Sequence, residues 1–400
     1  MSLDDTPRAN RLHIGLFGRR NSGKSSLVNA LTQQQTALVS DVAGTTTDPV
    51  YKSMEIHGIG PCVFIDTAGF DDEGDLGALR VEKTRRAAER TDIALVLFSS
   101  AEMEKELAWV RRFQQAKTPV LAIVSQMDRR GDAGQALAAL IHERCGLEAI
   151  CVSALQGAGM EAVREALIRL LPEDYEVASI TGGLARRGDT VLLVMPQDIQ
   201  APKGRLILPQ VQTLRDLLDK KCLVLSATTD QLDAALAALR EPPQLIITDS
   251  QVFGTVYAKK PASSRLTSFS VLFAHYKGDI DFFTASARKL DSLPPDAHIL
   301  IAEACTHKPL AEDIGREKLP RLLRQRLGNK ISITVVSGPD FPEDLTPYDF
   351  IIHCGACMFN RKYVLARAGQ ARKQDVPMSN YGIMLAFLAG ILDKIDLPAD

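Results

Sequence analysis

The chain has 400 residues, 46% of them hydrophobic, and a formal net charge of −2. That length accommodates two to three domains with proper cores, and the near-neutral charge excludes a general attraction to nucleic acid. The seven cysteines lie far apart except for one pair, which excludes a disulfide framework and fits a reducing compartment. The N-terminus has no apolar signal core. The longest near-apolar stretch, Tyr381 to Leu392, is too short to cross a bilayer and reads as a buried helix. The expected location is cytoplasmic, with no membrane and no nucleic acid as partner.

In the first block, residues 1–175, the apolar run Leu12 to Phe17 predicts a buried strand. It feeds Gly18-Arg19-Arg20-Asn21-Ser22-Gly23-Lys24-Ser25, a G-x-x-x-x-G-K-S loop. The glycines let successive backbone N–H groups curl around phosphate oxygens. Lys24 is expected to reach the β and γ phosphates, and Ser25 to offer its hydroxyl to Mg²⁺. The predicted helix, Ser26 to Leu31, turns its positive end toward the anion. Gly44-Thr45-Thr46-Thr47-Asp48 is a polar loop of the kind that closes over a γ-phosphate, with Thr46, then Thr45, as candidate Mg²⁺ ligand. Val63 to Ile65 predicts a strand ending in Asp66-Thr67-Ala68-Gly69. Asp66 is expected to hold Mg²⁺ through water, and the Gly69 N–H to touch the γ-phosphate. Strands recur at Ile93–Phe98, Val120–Val124 and Ala149–Val152. Their alternation with helices predicts an α/β fold, a parallel sheet with helices on both faces.

This block resembles the small GTPases of the Era/MnmE type. The resemblance implies GTP as ligand, with Lys24, Asn21, Thr46, Asp66 and Gly69 carrying hydrolysis. The usual guanine motif Asn-Lys-x-Asp reads Ser125-Gln126-Met127-Asp128 here. Asp128 keeps the carboxylate that accepts from guanine, while Ser125 and Gln126 predict looser base recognition. Ser153-Ala154-Leu155 matches the backbone-contact motif that completes the pocket. Phe70 stands where many such GTPases place a water-positioning glutamine, so slow intrinsic hydrolysis is expected. Asn21 reads by itself as a local cap or a cation ligand; the resemblance implies K⁺, neutralising transition-state charge in place of an arginine finger. Asp71, Asp72, Glu73 and Asp75 read as a solvated switch loop.

The middle block, residues 180–262, opens with linker-like Thr181-Gly182-Gly183 and Arg186-Arg187-Gly188. Strands are predicted at Thr190–Met195, Cys222–Leu225 and Leu245–Thr248, and helices at Gln210–Asp219 and Asp230–Leu239. A sheet of about three strands covers its faces poorly, so a homodimer is expected. Cys222 reads as a small core residue.

In the last block, residues 263–400, Leu266 to Ala287 predicts a helix, and His298–Ala302, Ile331–Val336 and Tyr348–Ile352 predict strands. Cys305-Thr306-His307 follows the first strand, and His353-Cys354-Gly355-Ala356-Cys357 the third. Both cysteine segments thus leave the C-terminal ends of strands, where open α/β sheets place ligand sites. Soft thiolates suit zinc and iron–sulfur clusters alike, and the residues alone leave both open. Cys62, Cys145 and Cys151 fall in the first block; Cys62 and Cys151 are expected to be buried, and none is assigned to the metal. Arg361 and Lys362 read as surface charges or as holders of anionic ligands.

A P-loop GTPase, a small α/β dimerisation block and a C-x-H … H-C-x-x-C domain together resemble the HydF family, maturation GTPases of [FeFe]-hydrogenase. The resemblance implies a [4Fe–4S] cluster on Cys305, Cys354 and Cys357. Its fourth ligand would come from His307, His353 or Glu312, although the histidines also suit a supporting role to the sulfurs, and Glu312 a helix start. It further implies a diiron subcluster precursor as cargo, with radical-SAM maturases and apo-[FeFe]-hydrogenase as partners. The GTPase block alone also permits an RNA- or ribosome-associated GTPase with a structural zinc domain. Against that stand the absence of a marked basic stripe and of an aromatic-rich binding strand in the last block.

Overall fold

The computed structural model describes residues 11–33, 40–42, 49–56, 59–70, 75–171, 179–196, 206–304, 314–338, 340–356 and 359–399. They form two compact units, Met1–Glu176 and Val177–Asp400.

The first unit is built on seven strands: β1 Leu12–Gly18, β2 Ser40–Val42, β3 Val50–Ile56, β4 Gly60–Asp66, β5 Ile93–Phe98, β6 Val120–Val124 and β7 Ala149–Cys151. Their order is β2-β3-β4-β1-β5-β6-β7. From β4 to β7 all pairs are parallel, and β2 and β3 add an antiparallel edge that the alternating pattern did not announce. β1 and β5 are buried at every position, as expected for central strands covered on both faces. The antiparallel pair needs only a tight turn between β3 and β4, so no crossover helix marks it.

The second unit holds two parallel four-stranded sheets. The first contains β8 Thr190–Val194, β9 Leu223–Ala227, β10 Leu245–Thr248 and β11 Arg265–Ser268, in the order β11-β10-β8-β9. The second contains β12 His298–Glu303, β13 Ser332–Ser337, β14 Phe350–His353 and β15 Met378–Asn380, in the order β13-β12-β14-β15. One hydrophobic core runs through both sheets, joining Leu192, Ile246 and Leu266 to Ile299, Ile301 and Phe350.

Two expectations change here. The middle sheet has four strands rather than three, and the long helix read from Leu266 is a strand followed by two helices, Phe269–Lys277 and Ile280–Arg288. The Ser268 side chain caps the first by accepting from the Val271 N–H at 3.3 Å, and Asp279 caps the second through the Phe282 N–H at 2.9 Å. The segment read as a linker is pinned. Asp216 accepts from the Ile180 and Thr181 amides, each at 3.1 Å, and from the Thr181 hydroxyl at 2.6 Å. Lys220 Nζ donates to the carbonyls of Gly182 and Ala185. Tyr381–Leu388 is the buried helix expected, and among the described residues no helix is long and apolar enough to cross a membrane.

Candidate functional site

The phosphate loop is shaped by its backbone. Gly23 has φ +89°, open to glycine at little cost, and Asn21 also lies in the left-handed region at φ 58°. A Cβ on Gly18 would meet Ser22 Oγ at 2.7 Å and the Leu97 carbonyl at 3.0 Å, so the loop closes only with glycine there. The helix Lys24–Gln33 begins at Lys24 and includes Ser25 and Ser26. Lys24 is buried; its ammonium donates to the carbonyls of Gly18 at 3.0 Å and Arg19 at 2.8 Å, which arches the loop over its own side chain.

β4 delivers Asp66 to the same place. Thr67 donates its hydroxyl to the Leu16 carbonyl at 2.5 Å and so fastens the end of β4 to β1. Ser25 Oγ and Asp66 Oδ2 stand 2.5 Å apart. Burial raises the Asp66 carboxyl above its usual range, opposed by the Ser25 hydrogen bond and by the charges of Lys24 and Lys52. A hydroxyl and a carboxylate converging at a half-dry position are the hard oxygen donors that Mg²⁺ selects. Ser22 Oγ is buried without a hydrogen-bond partner, a polar group that a phosphate oxygen would satisfy. The residues present therefore fit a magnesium nucleotide. Gly69 follows in the loop after β4; Thr45 and Thr46 lie outside the described residues.

The variant base motif braces the loop in its own way. Ser125 Oγ donates to the Ser22 carbonyl at 2.5 Å, and Gln126 Nε2 to the Asn21 carbonyl at 2.9 Å. The Asp128 carboxylate accepts from Ser153 Oγ at 2.7 Å, which ties the two base-contact segments together. Ala154 packs beside the core, and Leu155 is 85% exposed. Arg130 was not foreseen: it donates to the carbonyls of Ser125 and Ser99 at 3.0 and 2.9 Å and holds the motif to β5. Phe70 is buried, stacked on Trp109 with ring centroids 6.0 Å apart, and Trp109 stacks on Phe17 at 5.4 Å. Its ring belongs to the core. The first two residues of the acidic run, and Glu73, lie outside the described residues.

The cysteine site begins with strand pairing. β12 and β14 are parallel neighbours in a register that sets Ala302 beside His353. The next residues continue the match: the Cys354 N–H donates to the Ala302 carbonyl at 2.9 Å, and the Ala304 N–H donates to Cys354 Sγ at 3.0 Å. The amide immediately before Cys305 therefore touches the sulfur of Cys354. Cys305, His307, Glu312 and Cys357 themselves lie outside the described residues, and among the described residues no group of three or more His, Cys, Asp or Glu could hold a metal.

His353 is fully buried. Its Nδ1 lies 2.7 Å from the Cys354 carbonyl, and its Nε2 lies 2.9 Å from Arg367 Nη1. A guanidinium only donates, so Nε2 is the acceptor and Nδ1 carries the proton. Burial, helped by Arg367, lowers its pKa to about 3. Both ring nitrogens are thus engaged in bracing the strand end. Arg367 also donates to the Gly338 carbonyl at 2.9 Å and lies over the rings of Phe341 and Tyr363. Arg361 donates to the Tyr276 carbonyl at 3.2 Å.

Of the other cysteines, Cys145 is half-buried and its thiol donates to the Ile141 carbonyl at 3.2 Å. Cys62 is buried and its thiol is pushed up to about 12 by that burial. Cys222 is buried as expected, whereas Cys151 is only half-buried, because β7 is an edge strand. The charges of the last block are mixed. The helix Leu319–Leu327 and the turn before it line a surface cleft with Arg316, Arg321 and Arg324; the same cleft also holds Glu317, and Arg316 is paired to Glu303.

Three family models match the chain. A 50S ribosome-binding GTPase model covers residues 13–126, a hydrogen maturase F dimerization domain covers 180–278, and a hydrogen maturase F tetramerization domain covers 281–396. The two maturase-specific domains together span more than half of the chain. The chain belongs to the hydrogen maturase F family. Its first unit is a GTPase domain, and its second consists of domains of an oligomerising kind. The tRNA modification GTPase MnmE of Bordetella parapertussis is 35% identical over 161 residues, 40% of this chain and 34% of that protein. MnmE of Histophilus somni is 37% identical over 185 residues, 44% of this chain and 38% of that protein. The chain thus spans roughly a third of the length of these curated relatives. Among solved structures, Aquifex aeolicus Era bound to GDP and AlF4⁻ aligns at 19% identity with a TM-score of 0.35, covering 56% of this chain and 97% of that one.

Proposed function

We propose that this member of the family is a GTP-driven assembly scaffold. It holds a [4Fe–4S] cluster on Cys305, Cys354 and Cys357, receives a diiron subcluster precursor from radical-SAM maturases, and passes it to apo-[FeFe]-hydrogenase. The observation that carries this reading is the 3.0 Å bond from the Ala304 amide to Cys354 Sγ, which brings the start of the Cys305 segment to the Cys354 sulfur. An amide donor to a thiolate also stabilises its negative charge, a usual feature of iron–sulfur ligation. With three thiolates, the fourth iron keeps a weakly held corner for cargo; Glu312 and His307 are the candidates for that corner. His353 suits the supporting role, since both of its nitrogens already have partners.

In the GTPase domain, Lys24 holds the arch and offers its charge to the β and γ phosphates, while Ser25, Asp66 and Thr46 hold Mg²⁺. Bound there, the ion neutralises charge that develops between the β and γ phosphates. Asn21, in its left-handed conformation beside Gln126, is the proposed K⁺ ligand. The γ-phosphate would order Thr45–Asp48 and the loop after Gly69, and that ordering would change contacts with the partner maturases.

A homodimer through the middle sheet is part of the proposal. β9 is an edge strand, and Leu223 on it is 67% exposed, with Leu218 and Val211 also exposed on the adjoining helix Leu208–Asp219. The working division is 1–175 for nucleotide, 180–262 for pairing, with β11 joining that sheet from beyond it, and 263–400 for the cluster. Anaerobic iron, sulfide and zinc analysis tests the reading. Iron and sulfide near four per chain are expected of a [4Fe–4S] site, and stoichiometric zinc without iron overturns it in favour of a structural zinc domain.

A further inference from the structure

Among the described residues, Glu106 is the one acidic side chain that is fully buried. It stands in the first turn of the helix Glu104–Gln115. The positive end of a helix favours a carboxylate there, which explains its sign but not its burial. A buried charge is costly unless a partner and hydrogen bonds answer it. The partner comes from the phosphate loop, 87 positions earlier. Arg19 Nε donates to Glu106 Oε1 at 2.9 Å and Arg19 Nη2 to Glu106 Oε2 at 3.4 Å; Nη2 also donates to the Glu102 carbonyl. The helix that carries Glu106 is itself held in the core. Val110 is fully buried on it, and the Phe113 ring centre lies 4.7 Å from that of Phe17, on the strand that enters the loop.

The backbone of the same arginine is held from inside the loop. The Arg19 carbonyl accepts from Lys24 Nζ at 2.8 Å and from the Ser22 N–H at 3.2 Å. Arg19 therefore joins two partners. Its guanidinium reaches a packed helix outside the loop, and its carbonyl meets the ammonium within it. We propose that the Arg19–Glu106 pair is a positioning device for GTP hydrolysis: it fixes the Arg19 peptide against the helix, so that its carbonyl holds the Lys24 ammonium where the β and γ phosphates arrive. This rests on the reading of Lys24 given above. In this role Arg19 acts through Lys24 and not on the nucleotide. A guanidinium–carboxylate fork fixes direction as well as distance, which a single hydrogen bond does not. Without the fork the Arg19 peptide is free to turn, and a catalytic charge misplaced by about 1 Å costs about a hundredfold in rate.

The test uses the full chain with the double variant Arg19→Met/Glu106→Leu. Replacing both members of a buried ion pair by apolar side chains of similar volume is often neutral or stabilising. A pair that served the fold alone would therefore leave hydrolysis as it was. The expected result is a thermal unfolding midpoint no lower than wild type, kcat lowered about tenfold, and a KM for GTP that changes less than kcat. A wild-type kcat at that midpoint overturns the proposal. Arg19→Lys keeps the charge and loses the fork, so its kcat should fall between those of the double variant and the wild type. Should the double variant unfold early, Glu106→Gln decides at a temperature below its own midpoint: a lowered kcat upholds the proposal and a wild-type kcat overturns it. Lys24→Ala separates this inference from the reading beneath it. Hydrolysis lost in Lys24→Ala but intact in the double variant overturns the inference alone, and hydrolysis that survives Lys24→Ala overturns both.

Discussion

The nucleotide loop and the cysteine loop solve the same problem by different means. On the proposed reading, each holds an anionic group against backbone that a lysine grips. In the nucleotide loop the lysine is Lys24, six positions from the Gly18 carbonyl it grips, so the lysine and the arch it holds lie in one continuous segment. In the cysteine loop the lysine is Lys277, which donates to the Phe359 carbonyl, and the sulfur of Cys354 is met by the amide of Ala304, fifty positions earlier. The arch of the first lies within its own strand and helix, with Asp66, Ser125 and Gln126 added from elsewhere in the same sheet. The second exists only once β12 and β14 have paired and the helix before them has packed, because no local segment contains its parts. It follows that the two should fail separately.

The sharpest way to break the comparison is to remove one device and measure the other. Lys24→Ala should abolish GTP hydrolysis while iron content stays unchanged, and Cys354→Ala should lose the cluster while hydrolysis persists. Loss of both activities from either single change would show the devices to be one folding unit.

A smaller effect separates core from catalysis. Phe70 sits in the stack with Trp109 and Phe17. Phe70→Ala should therefore cost about 3–5 kcal/mol of stability, the usual price of deleting a buried aromatic ring. Denaturant unfolding of the first unit's transition measures it; a midpoint equal to wild type would mean that the ring is not packed as described.

Next come the braces of the base motif. Asp128→Ala removes the carboxylate that accepts from Ser153 and is placed for guanine. Binding of GTP should weaken by about ten- to a hundredfold, the range for a hydrogen bond to a charged group, as read by calorimetry. Exchange of K⁺ for Na⁺ should slow hydrolysis several-fold in steady-state assays, with Asn21→Ala erasing the difference; equal rates in both salts would remove Asn21 from the mechanism. The smallest effect concerns reactivity. With its thiol pushed up to about 12, Cys62 should remain unmodified by iodoacetamide at pH 8 in the native chain, as peptide mapping would show.

Local signals were legible in the sequence and distant ones were not. The G-x-x-x-x-G-K-S loop, the Asp66 strand end and Cys354 at the end of β14 were readable because their geometry follows from adjacent residues. The break after Ser268, in a serine cap, and the one at Gly278-Asp279 were also written there, but Phe269, Leu272, Phe273 and Tyr276 at helical spacing hid them. Lys277 and Gln126 could not be read. A lysine at a helix end normally reaches water, and only the arrival of the loop around Phe359 makes this one buried. Gln126 looked like a weakened lysine, whereas its amide donates to Asn21 across a hundred positions of chain.

Paramagnetic resonance of the anaerobically loaded, dithionite-reduced chain, alongside Cys354→Ala, tests the central claim most directly. A fast-relaxing signal typical of a reduced [4Fe–4S] centre in the wild type, absent from the variant at equal protein, is the predicted result. A silent wild-type sample that carries stoichiometric zinc, or an unchanged signal in Cys354→Ala, would contradict it.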